Sequence, residues 1–227
     1  MIRGVVFDLD DTLYLERDYV RSGFSFIAEL LTKDASISKE EVFGCLWGFF
    51  LQGEKGNIFD QCLERYPILR EQFTIDELVT SYRGHRPLIN LFPEIKDWLG
   101  QNQGRFYLGI ISDGPLESQQ AKVDSLGVKE IIPRIILTDT WGKEFWKPNP
   151  RSFQLLSDQW GLKGDELLYI GDNPAKDFIA PKKMGWKTIR LSMAGQLHYG
   201  RKPLTAAAAP EQEINSLEAL IENLNGI

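Results

Sequence analysis

The sequence predicts a doubly wound, parallel α/β sheet interrupted by a helical insertion, and three observations carry that prediction. Apolar, β-branched runs recur at residues 2–7, 106–111, 135–137, 167–170 and 188–191, the length and character of strands buried on both faces. Between the later runs lie stretches of helical spacing at 115–126, 151–160 and 177–184, each followed by a glycine (Gly127, Gly161, Gly185) of the kind that ends helices. Strands alternating with helices in this way pair in parallel. The third observation is the break: from about residue 16 to about residue 86 the chain is amphipathic at helical period over 19–32, 39–51, 58–65 and 75–82, with loops around Gly53 and Gly56.

Each strand end carries chemistry. Val5-Val6-Phe7 runs into Asp8-Leu9-Asp10-Asp11-Thr12. Two carboxylates two apart, where a strand gives way to a loop, reach into one crevice; this holds a hard divalent cation and keeps an aspartate aimed at phosphorus. An acidic turn that merely ends a strand is the plain alternative, and the rest of the chain weighs against it. The second run ends in Ser112-Asp113-Gly114, Lys147 stands within Trp146-Lys147-Pro148-Asn149-Pro150, and the fourth run ends in Gly171-Asp172-Asn173-Pro174-Ala175-Lys176-Asp177. Ligands of doubly wound sheets bind beyond the carboxyl ends of the strands, where Asp8, Ser112 and Asp172 all fall. Pro181 is tolerated in its helical stretch if that helix starts late, near Asp177. Residues 206–209 with Pro210 read as a flexible connector, and 216–224 as a terminal helix with Ser216 as N-cap.

These segments closely resemble the four motifs of the haloacid dehalogenase superfamily of aspartate-nucleophile phosphotransferases: DxDxT, a Ser or Thr after the second strand, a Lys, and GDxxxxD. All four match in order from Asp8 to Asp177, and four motifs in register are far more specific than one. The resemblance implies an α/β core of residues 1–15 and 87–227 and an α-helical cap, residues 16–86, of the subgroup that inserts it after the first strand. It implies Asp8 as nucleophile, forming an aspartyl-phosphate, and Asp10 as the acid that protonates the leaving oxygen and then the base that takes a proton from water. Ser112, with the backbone amides of Asp113 and Gly114, is implied to bind phosphate oxygens, and Lys147 to bridge phosphate and Asp8. Mg²⁺ is implied to sit on Asp8, the Asp10 carbonyl and Asp172. Asp177 is expected to orient Lys147 or a metal-bound water, or to cap the following helix, with Asn173 near another metal-bound water. Tyr14, and less so Arg17 and Arg21, are expected to face substrate.

Dehalogenases and phosphonatases of similar core lack an aspartate at position 10, since they deliver no proton to a phosphoester leaving group. Asp10 therefore points to a phosphomonoester. The expected function is a Mg²⁺-dependent phosphatase of a small phosphorylated metabolite such as a sugar phosphate, nucleotide or phosphoglycolate-like compound. A phosphomutase of the same fold and a non-catalytic binding protein stand as alternatives.

Composition bounds the partners. Net charge −6 leaves no basic footprint for nucleic acid, no apolar stretch is long enough to span a bilayer, and the start runs straight into a strand, so a cytoplasmic protein is expected. Cys45 and Cys62 are expected as helical thiols, unpaired in a reducing compartment. His85 and Arg86 are expected at a surface or interface, and Trp141, Trp146, Trp160 and Trp186 in core or loop packing. Oligomeric state is not legible.

Overall fold

The computed structural model describes residues 1–33, 36–54 and 56–227; of the loop expected around Gly53 and Gly56, Lys55 lies outside the described residues. In chain order the helices are α1 (Glu16–Thr32), α2 (Lys39–Leu51), α3 (Ile58–Arg65), α4 (Ile75–Gly84), α5 (Pro93–Gln101), α6 (Leu116–Leu126), α7 (Arg151–Trp160), α8 (Ile179–Lys183) and α9 (Leu217–Asn225). The strands are β1 (Gly4–Phe7), β2 (Tyr107–Ser112), β3 (Arg134–Leu137), β4 (Leu167–Gly171), β5 (Lys187–Leu191) and β6 (Gln212–Ile214). Two compact units result: Met1–Arg17 with Ile89–Ile227, and Asp18–Leu88.

The first unit is built on a six-stranded, wholly parallel sheet in the order β3-β2-β1-β4-β5-β6. Connections run outward in both directions from the centre, so the switch point lies between β1 and β4. β1 is buried along its whole length because both faces are covered. On one side Val6, Ile111 and Tyr169 join Phe153, Leu156, Phe178 and Trp186 in a single core. On the other, Phe7 meets Trp98 edge-on at 6.2 Å between ring centroids and Trp98 stacks on Phe106 at 5.7 Å. Trp98 comes from α5, a helix the periodicity did not mark. At about 25 cal/mol per Å² of apolar area removed from water, such two-sided burial is the main force holding the sheet.

Two expectations need correction. Residues 206–209 are no flexible connector. They form a 3₁₀ turn capped by Thr205, with Ala208 buried, and the Ala206 and Ala209 carbonyls accept from Lys182 Nζ at 3.0 and 2.7 Å. That turn feeds β6, too short to show a period of its own. The third helical stretch does start late, at Ile179, as Pro181 required: the proline sits in its first turn, where no intrahelical N–H is needed.

The second concerns His85: of the surface or interface expected for it, burial rules out the surface. Within the second unit it rests against Tyr19 and Tyr82. Its Nδ1 lies 2.6 Å from the Tyr82 carbonyl, which can only accept, so Nδ1 carries the proton. The same unit packs Phe24 against Phe50, Phe59 and Tyr82. Its helices α2 and α4 start at capping boxes, Ser38 with Glu41 and Thr74 with Glu77, each satisfying two amides that the helix leaves open. Cys45 and Cys62 are buried free thiols. No helix among the described residues is long and apolar enough to cross a membrane.

Candidate active site

The centre of the site is a lysine among carboxylates at the ends of β1 and β4. Asp8 leaves β1 with its amide still bonded to the Ile170 carbonyl at 2.8 Å, which fixes its direction. Lys147, delivered by the loop after β3, donates from Nζ to Asp8 Oδ1 at 2.7 Å and to Tyr169 OH at 2.8 Å, and lies 2.9 Å from Asp177 Oδ1. Its ammonium is fully enclosed. Burial disfavours the charge, but Asp177 and Asp8 outweigh it and hold the pKa well above that of an ordinary lysine.

Asp113 sets where that lysine stands. Its Oδ1 accepts from the Lys147 amide at 3.1 Å and from Thr138 Oγ1 at 2.7 Å, and its Oδ2 from Lys176 Nζ at 2.9 Å. Asp177 accepts the Asn173 amide on Oδ2 at 2.8 Å, so it braces the loop ahead of it and does not cap α8. Gly171 leaves space for this: a Cβ there would lie 2.6 Å from Asp177 Oδ2. Asn173 Oδ1 accepts from the Ala175 amide at 3.0 Å.

Among the described residues, one group of three carboxylates brings an oxygen from each within 4.8 Å of the others: Asp8, Asp172 and Asp177. Asp177 is already engaged by Lys147 and the Asn173 amide, whereas Asp172 Oδ2 is buried with no hydrogen-bond partner. Leaving a buried carboxylate oxygen unpartnered is costly, and here it faces two other acids. Burial first, then the charges of Asp177 and Asp8, hold its carboxyl well above the usual range. An all-oxygen set with an orphaned carboxylate fits a hard divalent cation, which Mg²⁺ exemplifies in taking only one or two carboxylates. Arg190, buried on β5, braces Asp172 from behind by donating from Nε to its carbonyl at 2.9 Å.

Asp10 is held apart from this cluster. Lys122 Nζ donates to its Oδ1 and Oδ2 at 2.8 and 2.9 Å, Gln119 Nε2 to Oδ2 at 3.1 Å, and the Tyr14 hydroxyl to Oδ1. Burial pushes the Asp10 carboxyl up, but Lys122 and these hydrogen bonds together hold it below the usual carboxylate range. Tyr14 is almost wholly buried, so its hydroxyl serves Asp10. Ser112, at the end of β2, donates from Oγ to Gln119 Oε1 at 2.9 Å. Asp11 takes the left-handed φ of 53°, uncommon outside glycine. It is secured by the Glu16 and Leu197 amides on its carboxylate at 2.8 and 2.6 Å and by Gln196 Nε2 on its carbonyl at 2.6 Å.

Gln119, Lys122, Tyr169, Arg190 and Gln196 were not foreseen. A signal existed for two of them: Gln119 and Lys122 share the buried face of α6 with Val123 and Leu126, and a polar pair on an apolar stripe is a conflict worth explaining. The others depend on contacts between distant segments.

Burial pushes Asp8 up to about 7, with Lys147 opposing, Glu16 up to about 7, with the charge of Asp10 adding, and Asp11 up to about 6 despite two backbone amides. A carboxyl with a raised folded pKa binds its proton more tightly folded than unfolded. Its contribution to stability is therefore complete below the unfolded value near 4 and is lost as pH rises through 6 to 7. Asp10 and Asp113 are lowered and act oppositely, losing their contribution as pH falls below about 4. Thermal melting in chelator is thus expected to peak near about pH 5 and to fall by about pH 8; a Tm that rises steadily over that interval would contradict the assignment.

The parallel doubly wound sheet thus carries an aspartate–lysine–aspartate centre at its switch point, where sheets of this kind bind their ligands. The chain belongs to the haloacid dehalogenase-like hydrolases, whose family matches residues 5–191. It is 26% identical over 227 residues, 98% of this chain and 96% of the relative, to glyceraldehyde 3-phosphate phosphatase of Methanocaldococcus jannaschii. It is 24% identical to phosphoglycolate phosphatase of Vibrio parahaemolyticus, over 61% of this chain and 58% of that one. Among solved structures it is similar in fold to the HAD-hydrolase YfnB of Bacillus subtilis (TM-score 0.65, 22% identity, 99% of each chain). It is also similar to the 2-haloacid dehalogenase of Pseudomonas syringae (TM-score 0.63, 20% identity, 100% of this chain and 99% of that one).

Proposed function

We propose that the chain is a Mg²⁺-dependent phosphoric monoester hydrolase acting on a small phosphorylated metabolite through an aspartyl-phosphate on Asp8. The observation that carries this reading is the pairing of Asp8 Oδ1 with a buried Lys147 ammonium at 2.7 Å beside the partnerless Asp172 Oδ2. That lysine offsets charge on both nucleophile and phosphate, and the spare oxygen suits a cation that would otherwise be lacking among the acids. Asp8 and Asp172, with the Asp10 carbonyl, would hold Mg²⁺, which supplies neutralisation of phosphate charge.

The chain's own residues do the rest. An Asp8 oxygen attacks phosphorus as the bond to the ester oxygen breaks; Asp10, ionised in the free site, first takes a proton from solvent as the anionic phosphate enters, and passes it to that oxygen, which leaves as an alcohol. Asp10 then takes a proton from water as the water oxygen bonds to phosphorus and the Asp8–phosphorus bond breaks, which restores both aspartates. Ser112, with the amides of Asp113 and Gly114, and Lys147 anchor the phosphoryl oxygens; Asp177 and Tyr169 keep Lys147 in place. Tyr14 is reassigned from substrate contact to holding Asp10.

Full-length likeness to glyceraldehyde 3-phosphate phosphatases of three archaea favours a triose-phosphate-sized substrate. Inorganic phosphate release should be measured across a panel of phosphorylated metabolites, with and without Mg²⁺, for the wild type and Asp8→Asn. Metal-dependent release that vanishes in the variant is expected; an isomer formed without free phosphate would instead identify a mutase.

A further inference from the structure

The acid/base carboxylate is held by residues outside all four motifs. Gln119 and Lys122 lie on the buried face of α6, and the Lys122 side chain is only 3% exposed. Burying an ammonium against a carboxylate gains little over apolar side chains of similar volume, so packing does not account for the pair. Geometry does. Lys122 grips both Asp10 oxygens, while Gln119 turns its amide nitrogen to Asp10 and its amide oxygen to Ser112 Oγ. Room for that amide is left by Gly114, whose φ is 137° and where a Cβ would lie 2.5 Å from Gln119 Nε2.

We propose that Gln119 and Lys122 are positioning residues for proton delivery, fixing the Asp10 carboxyl toward the leaving oxygen and tying it through Gln119 to the Ser112 phosphate anchor. The inference rests on the phosphatase reading above. Proton transfer needs donor and acceptor within about 2.6–3.2 Å, and a carboxyl on a loop has no such precision unless its rotation is stopped. Ser112 has a single hydroxyl proton. When it turns to a phosphoryl oxygen it lets go of Gln119, which keeps its bond to Asp10, so seating of the phosphate is felt at the residue that holds the acid. Lys122, 2.8 Å from Asp10 Oδ1, offsets the Asp10 charge between the two halves of the reaction.

The test is kcat/KM, which covers the steps through transfer to Asp8, on glyceraldehyde 3-phosphate and on 4-nitrophenyl phosphate. The first has an alkoxide leaving group that must be protonated, whereas nitrophenolate departs without a proton. Lys122→Met and Gln119→Met are expected to lose at least about 100-fold on the alkyl ester and less than about tenfold on the aryl ester. Lys122→Arg should recover part of the loss. In an Asp10→Asn background Lys122→Met should cost nothing further on the alkyl ester, because residues acting as a unit are not additive.

Equal losses on both esters, in variants that melt like the wild type, would overturn the proposal, as would full additivity with Asp10→Asn. If Lys122→Met does not fold, Gln119→Met carries the same comparison. A wild type that releases no phosphate from either ester would overturn the phosphatase reading itself, and the proposal with it.

Discussion

Lys147→Met is expected to cost about 3–5 kcal/mol of folding stability, the penalty for breaking a buried ion pair by removing one partner. The lysine is fully enclosed and lies within 2.9 Å of two carboxylates that are themselves almost wholly buried. Without it, Asp8 and Asp177 keep their desolvation and gain an unscreened repulsion. Asp8, already pushed up to about 7 by burial against the opposing charge of Lys147, can escape by taking a proton, so the loss should be smaller at about pH 5 than at about pH 8, where Asp8 must ionise. Domains of ordinary stability have about 5–15 kcal/mol in hand, so the variant should fold yet melt far earlier. Denaturant unfolding of wild type and variant at the two pH values measures this. Turnover should be lost in the same variant, because the cation beside Asp8, the proposed nucleophile, goes with it. A stability loss that is large and independent of pH would mean that the methionine is badly accommodated and that charge is not the cause.

Asp172→Asn is expected to move stability and activity in opposite directions. Asp172 presents a buried oxygen with no partner, and burial with the charges of Asp177 and Asp8 pushes its carboxyl well up. An amide of the same shape carries no charge and offers an N–H₂ to the neighbouring acids. Relieving a buried unsatisfied group recovers about 1–3 kcal/mol, or about 2–4 °C in Tm per kcal/mol for a chain of this size. The metal-free variant should therefore melt several degrees above the metal-free wild type. On the proposed reading Asp172 holds Mg²⁺, so its loss should weaken Mg²⁺ by more than the about 10–100-fold that losing an outer partner costs, and phosphate release should fall with it. Scanning calorimetry in chelator and a Mg²⁺ titration of activity check the two halves. A variant less stable than wild type without metal would show that Asp172 serves the fold first.

How much of this was visible beforehand follows from the range of each interaction. β1 to β5 were legible because each is built on a short, mostly apolar run, and α7 because its spacing ends at Gly161, in the left-handed conformation. Asp8, Ser112, Lys147 and Asp172 were legible because strand ends and short motifs are local features of sequence, and the fold collects them at one edge of the sheet. β6 and the 3₁₀ turn before it were missed because their partners, Thr188, Ile189 and Lys182, are far away in the chain. α5 was missed because Pro93 opens it and only Ile95, Trp98 and Leu99 face inward, too few for a clear period. His85 was misplaced because a histidine's burial depends on whether aromatic rings and a carbonyl come to meet it, here Tyr19, Tyr82 and the Tyr82 carbonyl.

By itself the sequence determined the class of sheet, the order of the four motifs and the residues standing at the strand ends. Period, apolar runs and turn residues are written along the chain. Only the tertiary structure decided how those residues are employed. It put Lys147 between Asp8 and Asp177, left Asp172 Oδ2 without a partner, and gave Asp10 to Lys122, Gln119 and Tyr14. Hydrogen bonds and ion pairs act over about 3 Å, and Lys122 stands 112 residues from Asp10 along the chain. Such a contact exists only once the core has folded and brought the two together.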